Sequence, residues 1–249
     1  MIVGVIPARW GSTRLPGKCL IPLCGKPLLQ WVAERARQAR RLDALVVATD
    51  DERIRQAAER FGAAVVMTRP DHPSGTDRVA EAVAGTTADI VINIQGDEPL
   101  IEPALIDTLA EVMVRETVCD MATAATPIRD DAERASASAV KVVWDAAGFA
   151  LYFSRSVIPF VRDAVPAGAE TLHWRHVGIY AYRRAFLRRL VATPVCLLER
   201  AEKLEQLRAL HIGGRIRVLT TEYAGIGVDT PADVKEAETR LRRAGLAKD

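Results

Sequence analysis

Residues 5–18, V-I-P-A-R-W-G-S-T-R-L-P-G-K, join an apolar segment to a basic loop that contains glycine. The apolar segment Ile2–Pro7 predicts the first strand of a sheet. The glycines of the loop let backbone N–H groups approach phosphate oxygens, and its cations neutralise them. These cations are Arg9, Arg14 and Lys18. The pattern indicates a loop that binds a polyanion, and a solvated surface turn is the alternative interpretation.

The spacing within this loop excludes a Walker A motif, which has the form G-x-x-x-x-G-K-[ST]. Here five residues separate Gly11 from Gly17, and Cys19 rather than Ser or Thr follows Lys18.

Composition predicts an ordinary globular protein. The chain has 249 residues, of which 49% are hydrophobic and 27% are charged, enough for one large domain or two small ones. A net charge of +2 excludes a general polycation built for nucleic acid, so anion binding must be local. The N-terminal segment lacks the apolar region of a signal peptide, and the cysteines are scattered without a C-x-x-C pair. We therefore expect a cytoplasmic protein with free thiols and no membrane partner.

Segments typical of strands and helices alternate over the first two-thirds of the chain. The predicted strands are Ile2–Pro7, Leu45–Thr49, Ala64–Met67, Ile90–Gln95 and Met121–Thr126. The predicted helices are Pro27–Arg40, Asp51–Phe61, Thr76–Val83 and Pro103–Val114. This alternation predicts an α/β fold with a mainly parallel central sheet flanked by helices.

The pattern changes near residue 140. Strands are predicted at Ala139–Trp144, Ala150–Phe153, Val177–Tyr182 and Arg215–Thr221, with an exposed loop at Arg162–Thr171. Amphipathic helices are predicted at Leu198–Leu210 and Pro231–Ala244. We expect a single domain, residues 1–249, with a small β-rich insertion at about 139–182 that serves as a lid or dimerisation subdomain.

Carboxylates follow the ends of predicted strands, where open α/β sheets bind their ligands. Asp50 follows the second strand, Asp97 lies in Q-G-D-E-P after Ile90–Gln95, and Asp229 precedes the last helix. Asp97 and Asp229 are candidates to share one Mg²⁺, a cation usually held by carboxylates together with substrate phosphates. The alternative is that each of the three carboxylates caps a helix or turn.

The segment D-H-P-S-G-T-D-R at 71–78 is a polar turn that leads into a helix. Ser74 or Thr76 is a candidate N-cap, with Asp77 favourable to the helix dipole. The functional alternative is that this segment binds a base or a ribose.

His173 and His176 have the spacing H-x-x-H, but the sequence around them offers few other metal ligands. An alternating strand would instead point His176 and Tyr180 to the same side. Arg155, Glu205 and Gln206 are further polar candidates, with a surface ion pair or the wet face of a helix as alternatives.

Together these segments resemble the 3-deoxy-manno-octulosonate (Kdo) cytidylyltransferases, also called CMP-Kdo synthetases. The matching motifs, in chain order, are I-P-A-R-W-G-S-T-R-L-P-G-K at 6–18, G-K-P at 25–27, V-A-T-D-D at 47–51, D-H-P-S-G-T-D-R at 71–78, Q-G-D-E-P at 95–99, A-V-K-V-V at 139–143, A-L-Y-F-S-R at 150–155, R-H-V-G-I-Y at 175–180, L-E-Q-L-R at 204–208 and G-V-D-T-P at 227–231. One departure lies before A-V-K-V-V, where the family often has an N-P-N-like segment and this chain has Ala135-Ser136-Ala137-Ser138.

The resemblance implies a homodimeric nucleotidyltransferase of the GT-A-like type that joins CTP and Kdo to give CMP-Kdo and pyrophosphate for lipopolysaccharide. It implies catalytic roles for Arg9, Lys18 and Asp97, and Mg²⁺ on Asp97 and Asp229. The nucleotide-binding residues it implies are Pro7, Ala8, Arg9, Arg14, Lys18, Ser74, Gly75, Thr76, Arg78 and Asp97. The sugar-binding residues it implies are Gln95, Arg155, His176, Tyr180, Glu205 and Gln206.

Two other functions remain open from the sequence. A cytidylyltransferase for a related acidic sugar, such as an amino-substituted Kdo or a nonulosonate, would differ at only one or two side chains. A catalytically silent nucleotide-binding protein has less need of Lys18, Asp97 and Asp229 together.

Overall fold

The computed structural model describes residues 1–11, 15–163 and 171–247. Arg14 and most of the predicted loop Arg162–Thr171 therefore lie outside the described residues. The chain forms two compact units, one of Met1–Glu111 with Gly225–Asp249 and the other of Val112–Ala224. The single-domain organisation stays a prediction.

The described part of the chain contains the following elements. The strands are β1 (Ile2–Ala8), β2 (Pro22–Leu23), β3 (Lys26–Pro27), β4 (Ala44–Thr49), β5 (Ala64–Met67), β6 (Ile90–Asn93), β7 (Met121–Pro127), β8 (Lys141–Trp144), β9 (Ala150–Ser154), β10 (Trp174–Arg183) and β11 (Ile216–Thr220). The α-helices are α1 (Leu28–Ala36), α2 (Glu52–Arg60), α3 (Gly75–Ala82), α4 (Pro103–Arg115), α5 (Asp131–Ala135), α6 (Arg184–Ala192), α7 (Leu197–Glu202), α8 (Gln206–His211) and α9 (Pro231–Arg243). A short 3-10 helix, Lys18–Leu20, follows the basic loop.

The first unit contains four parallel strands in the order β6-β1-β4-β5. Their side chains supply much of its core, and Val5, Ile6, Val91 and Ile92 are fully buried. Helices α1, α2 and α3 pack against these strands. The predicted α/β fold with a mainly parallel sheet and flanking helices is confirmed.

Helix α9 belongs to the first unit although more than a hundred residues, Val112–Ala224, separate its stretch of chain from Met1–Glu111. Its buried residues Ala237 and Leu241 pack with Leu28 and Trp31 of α1 and with Leu23 of β2. The indole N–H of Trp31 donates to the carbonyl of Leu23 at 2.8 Å. This packing fixes the position of the residues immediately before α9.

The second unit has a mixed sheet. Strand β11 pairs with β7 in parallel, whereas β7 with β10, β10 with β8 and β8 with β9 are antiparallel. The register of β10 against β7 shifts between Val177 and Tyr180. Helix α6 packs against β10, and α8 packs against β9.

The predicted helix Leu198–Leu210 is wrong as one continuous element. The structure has two helices, α7 and α8, separated at Lys203, which adopts a left-handed conformation with φ +54°. In a continuous helix the carbonyl of Glu202 would accept the N–H of Gln206. It instead accepts from Nε of Arg155 at 2.6 Å. Leu204 and Leu207 of the predicted helix are buried and Leu210 is half-buried, but the apolar spacing carried no signal for this long-range contact.

Candidate active site

The predicted site residues form two clusters, one in each unit. The first unit contains the basic loop, the 71–78 segment, Gln95, Asp97 and Asp229, and the second contains Arg155, His176, Tyr180, Glu205 and Gln206.

Lys18 is the centre of the first cluster. Its Nζ lies 2.6 Å from Oδ2 of Asp97 and 2.9 Å from Oδ1 of Asp229. The side chain of Lys18 is mostly buried, at 15% exposed, whereas those of Asp97 and Asp229 are 27% and 35% exposed. One ammonium group therefore joins two carboxylates that still face solvent in part.

The charge of this group is well defined. Burial alone would lower the pKa of Lys18, but Asp97 and Asp229 outweigh that effect and raise the pKa above its ordinary value. The side chain is thus a permanent cation at physiological pH, as phosphate binding requires.

Backbone contacts bring the carboxylates to Lys18. The N–H of Val228 donates to the carbonyl of Asp97 at 2.9 Å. The carboxylate of Asp233, in the first turn of α9, accepts the N–H groups of Asp229 at 3.0 Å and of Thr230 at 2.7 Å. Thr230 is the N-cap of α9, in a capping box with Asp233. The alternative that Asp229 caps this helix is therefore wrong, and its side chain points to Lys18.

The two carboxylates suit a divalent cation that completes its shell with water and phosphate. Both contact the same cation, the ammonium of Lys18, so they converge on one point. Within the described ranges, no group of three or more His, Cys, Asp or Glu side chains could hold a metal ion. Mg²⁺ commonly binds through one or two carboxylates plus substrate oxygens, and its binding to Asp97 and Asp229 stays a prediction.

The end of β1 lies next to two other segments of the first cluster, the 71–78 segment and the turn after β6 that contains Gly96. A Cβ atom on Gly96 would come within 2.9 Å of the carbonyl oxygen of Pro7, so this approach requires glycine. A Cβ on Gly75 would lie 3.6 Å from the Pro7 side chain. Ala8 is buried, and Arg9 at the end of the strand is exposed. Three of the predicted nucleotide segments therefore meet at Pro7.

Ser74 is the N-cap of α3, as one of the two interpretations of this segment predicted. Its side-chain oxygen accepts the N–H of Asp77 at 3.3 Å, and its hydroxyl lies 2.7 Å from the Asp77 carboxylate. Thr76 is buried in the first turn. Capping does not exclude a nucleotide contact, so the roles of Ser74, Gly75 and Thr76 toward a nucleoside stay predictions.

Arg78 is 4% exposed, and its guanidinium is paired with other residues of the first unit. Its Nη2 lies 3.2 Å from Asp50, and its Nη1 donates to Thr68. Asp51, rather than Asp50, caps α2. The cap interpretation of Asp50 is therefore wrong, since this carboxylate anchors Arg78 instead. The predicted nucleotide contact of Arg78 stays a prediction.

His176 and Tyr180 face the same side of β10, as predicted, with ring centroids 5.4 Å apart. Nε2 of His176 lies 2.9 Å from the hydroxyl of Thr123. That hydroxyl lies 2.8 Å from the carbonyl of Ile179 and donates its single proton to a carbonyl. The imidazole must then donate from Nε2, which leaves the lone pair on Nδ1.

The imidazole and phenol of this cluster are neutral. Burial, with a smaller contribution from the charge of Arg175, lowers the pKa of His176 to about 3. Burial and the charge of Glu205 raise the pKa of Tyr180. At neutral pH both rings therefore act through hydrogen bonds rather than charge.

Gln206 carries a buried amide next to Tyr180, whose hydroxyl donates to Oε1 of Gln206 at 3.4 Å. Nε2 of Gln206 is buried and has no hydrogen-bond partner in the part of the chain that the structure describes. A buried donor left unpaired is costly, which favours a ligand that accepts from it. Glu205, the preceding residue, is partly buried.

Arg155 is tied down by carbonyl oxygens. Its Nε donates to Glu202 at 2.6 Å, and its Nη1 donates to Ala137 at 2.9 Å. The Glu202 carboxylate accepts the Arg155 N–H at 2.9 Å and the Ser154 hydroxyl at 2.6 Å. Arg155 is thus not a loosely held surface cation.

Gln95, predicted to bind the sugar, lies in the first unit, where its Nε2 donates to Asn93 at 3.3 Å. His173 does not join His176 in a metal site, because its Nε2 contacts the carbonyl of Pro159 at 3.1 Å.

The free thiols are confirmed for all of Cys19, Cys24, Cys119 and Cys196. In the described residues, no helix combines the length and apolar character needed to span a membrane.

Sequence reasoning missed several residues that hold the predicted ones in place. These are Thr123, which sets the tautomer of His176, Glu202, which holds Arg155, and Asp233, which holds Asp229. The S/T-x-x-[DE] pattern of Thr230 and Asp233 could have revealed the last of these. Thr123 and Glu202 act across the fold and have no local signal.

Comparison with known proteins agrees with this geometry. A family model described as cytidylyltransferase matches residues 3–216. The chain is 52% identical to a 3-deoxy-manno-octulosonate cytidylyltransferase of Solibacter usitatus, over 98% of this chain and 96% of that protein. It is 48% identical to the Bdellovibrio bacteriovorus protein of the same name, over 98% and 99% of the two chains.

A solved structure supports the same relationship. It is a CMP:2-keto-3-deoxy-manno-octonic acid synthetase complexed with CTP, which matches with a TM-score of 0.91 and 45% identity over 98% of this chain and 99% of that one. This match confirms the nucleotidyltransferase fold. The chain belongs to the 3-deoxy-manno-octulosonate cytidylyltransferase family.

Proposed function

We propose that this protein transfers CMP from CTP to Kdo, giving CMP-Kdo and pyrophosphate. The observation that carries the proposal is Lys18 held between Asp97 and Asp229, in a chain of this family. The product would supply activated sugar for lipopolysaccharide, and we place the enzyme in the cytoplasm, where CTP is made.

The reaction brings a triphosphate and a sugar carboxylate together, so the protein must offset the repulsion between two anions. Arg9, Arg14 and Lys18 would bind the CTP phosphates, and residues Pro7, Ala8 and 74–78 would hold the nucleoside. The anomeric hydroxyl of Kdo attacks the α-phosphorus in line, and pyrophosphate leaves. Positioning and charge stabilisation dominate such a step.

Asp97 and Asp229 would hold Mg²⁺, which supplies charge neutralisation at the phosphates when bound. Lys18 lies between these carboxylates in the structure. In the complex with CTP, its ammonium would contact the phosphate oxygens while the two carboxylates contact the Mg²⁺. Asp97 is the second choice as general base, because its oxygens would be occupied by Lys18 and the proposed Mg²⁺.

Arg155 would bind the Kdo carboxylate, since a guanidinium matches carboxylate geometry. The neutral His176 and Tyr180, with Gln95, Glu205 and Gln206, would contact the sugar hydroxyls. Nε2 of Gln206, which has no hydrogen-bond partner among the described residues, is the donor that supports this assignment most directly.

Turnover itself tests the proposal. We expect pyrophosphate release with CTP, Mg²⁺ and Kdo, and much slower release with amino-substituted Kdo or a nonulosonate in place of Kdo. Faster turnover with either analogue would favour the related acidic sugar instead. CTP binding without turnover on any sugar would indicate a catalytically silent binding protein.

The homodimer is also proposed, and exposed apolar side chains of the second unit support it. Phe160 is 85% exposed, Leu197 80% and Leu151 61%. The contact of His173 with Pro159 brings the Phe160 segment next to exposed Leu172. A contiguous apolar surface on a monomer marks an interaction site, and the dimer proposal takes these side chains to belong to such a surface.

Asp97→Asn removes a carboxylate charge from Lys18 and from the proposed metal. We expect kcat at saturating Mg²⁺ to fall by about two to three orders of magnitude or more, with an unchanged circular dichroism spectrum. Asp163→Asn, which alters an exposed carboxylate paired with Arg162, is the control and should keep wild-type kcat. A near wild-type rate for Asp97→Asn would remove Asp97 from the metal site.

Arg155→Ala should weaken the sugar far more than the nucleotide. Loss of a hydrogen bond between charged groups predicts a rise of about 10- to 100-fold in KM for Kdo, with little change in KM for CTP. Arg129→Ala, which removes an exposed arginine paired with Glu222, serves as the control. Equal increases in both KM values would contradict the assignment of Arg155.

Sedimentation velocity tests the dimer. The wild type should sediment with twice the 27.2 kDa mass of one chain, and the double variant Phe160→Glu/Leu197→Glu should sediment as a monomer. Met67→Glu changes an apolar residue of the first unit that is 47% exposed and should leave the dimer intact. A monomeric wild type would overturn the homodimer, and a dimer that tolerates the double variant would overturn the assignment of its interface to Phe160 and Leu197.

A further inference from the structure

Lys141 in β8 is a lysine with no exposed surface. Its ammonium donates to three backbone carbonyls, those of Ser136 at 2.8 Å, Ala139 at 2.7 Å and Arg155 at 2.7 Å. An ammonium group has three N–H donors, so these contacts use all of them. The side chain therefore joins the 136–139 turn to the end of β9.

Stability alone does not account for a cation at this position. Burial lowers the pKa of Lys141, which expresses the cost of removing the ammonium from water, and the charge of Glu202 offsets only part of that effect. Apolar residues of similar volume commonly stabilise a buried position as well as a paired charge does. The contacts of Lys141 indicate instead that its role is to fix the backbone segments whose carbonyls it binds.

Both attachments of Lys141 lead to Arg155. One is the carbonyl of Arg155 itself. The other is the 136–139 turn, in which the carbonyl of Ala137 accepts from Nη1 of Arg155 at 2.9 Å. Lys141 thus fixes the main chain of Arg155 and also the acceptor that orients its guanidinium. These contacts use backbone oxygens, so the departure of this chain at Ala135–Ser138 leaves them intact.

We propose that Lys141 is a positioning residue for the sugar substrate, acting through Arg155. It holds the guanidinium in the orientation that receives the substrate carboxylate. The inference rests on the proposed function, because it explains how Arg155 is oriented to bind the acidic sugar that this function requires.

Lys141→Met keeps the length and apolar stem of the side chain and removes the three donors. We expect KM for Kdo to rise by about 10-fold or more, while KM for CTP and the dissociation constant of CTP stay within about twofold of wild type. Initial rates of pyrophosphate release and isothermal titration with CTP measure these quantities.

Arg183 provides a matched control in the same unit. Its guanidinium also donates to three carbonyls, those of Cys119 at 2.8 Å, Met113 at 2.9 Å and Glu116 at 3.0 Å, and none of these residues touches Arg155 in the described contacts. Arg183→Met should lower the melting temperature as Lys141→Met does, without a selective rise in KM for Kdo. Equal selective rises in both variants would show that general destabilisation causes the effect, and would overturn the proposal.

A double-mutant cycle tests the route through Arg155. In the Arg155→Ala background, Lys141→Met should change KM for Kdo by less than about twofold, because the group that it positions is already absent. An undiminished effect in that background would contradict the proposal. Lys141→Gln, which retains amide donors, replaces Lys141→Met if the latter is unfolded at the assay temperature, and a smaller rise in KM for Kdo is then expected.

The wild-type assay separates this inference from the proposed function. Absence of wild-type turnover with CTP and Kdo would refute the function itself. Normal wild-type turnover combined with equal effects of Lys141→Met on both substrates would refute only the role of Lys141.

Discussion

The contact of Lys18 with Asp97 and Asp229 is the constraint on which the first unit depends. It joins three segments that are far apart in sequence: the loop after β1, the turn after β6 and the residues before α9. Without Lys18, the two negatively charged carboxylates would repel each other, and the ammonium between them offsets that repulsion. The parallel strands, the glycine at position 96 and the capping box of α9 are arranged so that this contact forms. A polyanion would then meet a cation that is already oriented.

The two clusters of site residues differ in how they hold charge. In the first, the charged groups Lys18, Asp97 and Asp229 remain partly exposed, as the exchange of the proposed phosphate and metal ligands with water would require. In the second, His176 is buried and Tyr180 half-buried, both rings are neutral, and the guanidinium of Arg155 is held by the carbonyl oxygens of Glu202 and Ala137. A neutral buried cluster can discriminate sugar hydroxyls by hydrogen bonding, because an unmatched donor such as Nε2 of Gln206 is costly there.

Much of the fold could be predicted from periodicity, because the four parallel strands and helices α1, α2 and α3 of the first unit each have an apolar pattern. The two-residue strands β2 and β3 have no such pattern. The placement of Asp97 and Asp229 at one sheet edge also followed from the sequence, since ligands collect at the ends of parallel strands. The break at Lys203 could not be predicted, because it depends on a contact with Arg155 that lies about 50 residues away in the chain. The same holds for Thr123, whose role arises only when β7 pairs with β10, and for Lys141, whose role arises only when β8 pairs with β9. Strands and helices are encoded locally, whereas the contacts that orient the site residues depend on long-range pairing.

The first unit is built from two separate stretches of sequence, and this affects its synthesis. Asp229 and α9 leave the ribosome roughly 130 residues after Asp97, a delay of about 7–26 s at about 5–20 residues per second. During that interval Lys18 has only one of its two carboxylate partners, and the apolar side chains that α9 covers on α1 and β2 stay open to water. All residues of the second unit are synthesised before this happens. The nucleotide cluster can therefore be completed only after the whole of the second unit has been synthesised.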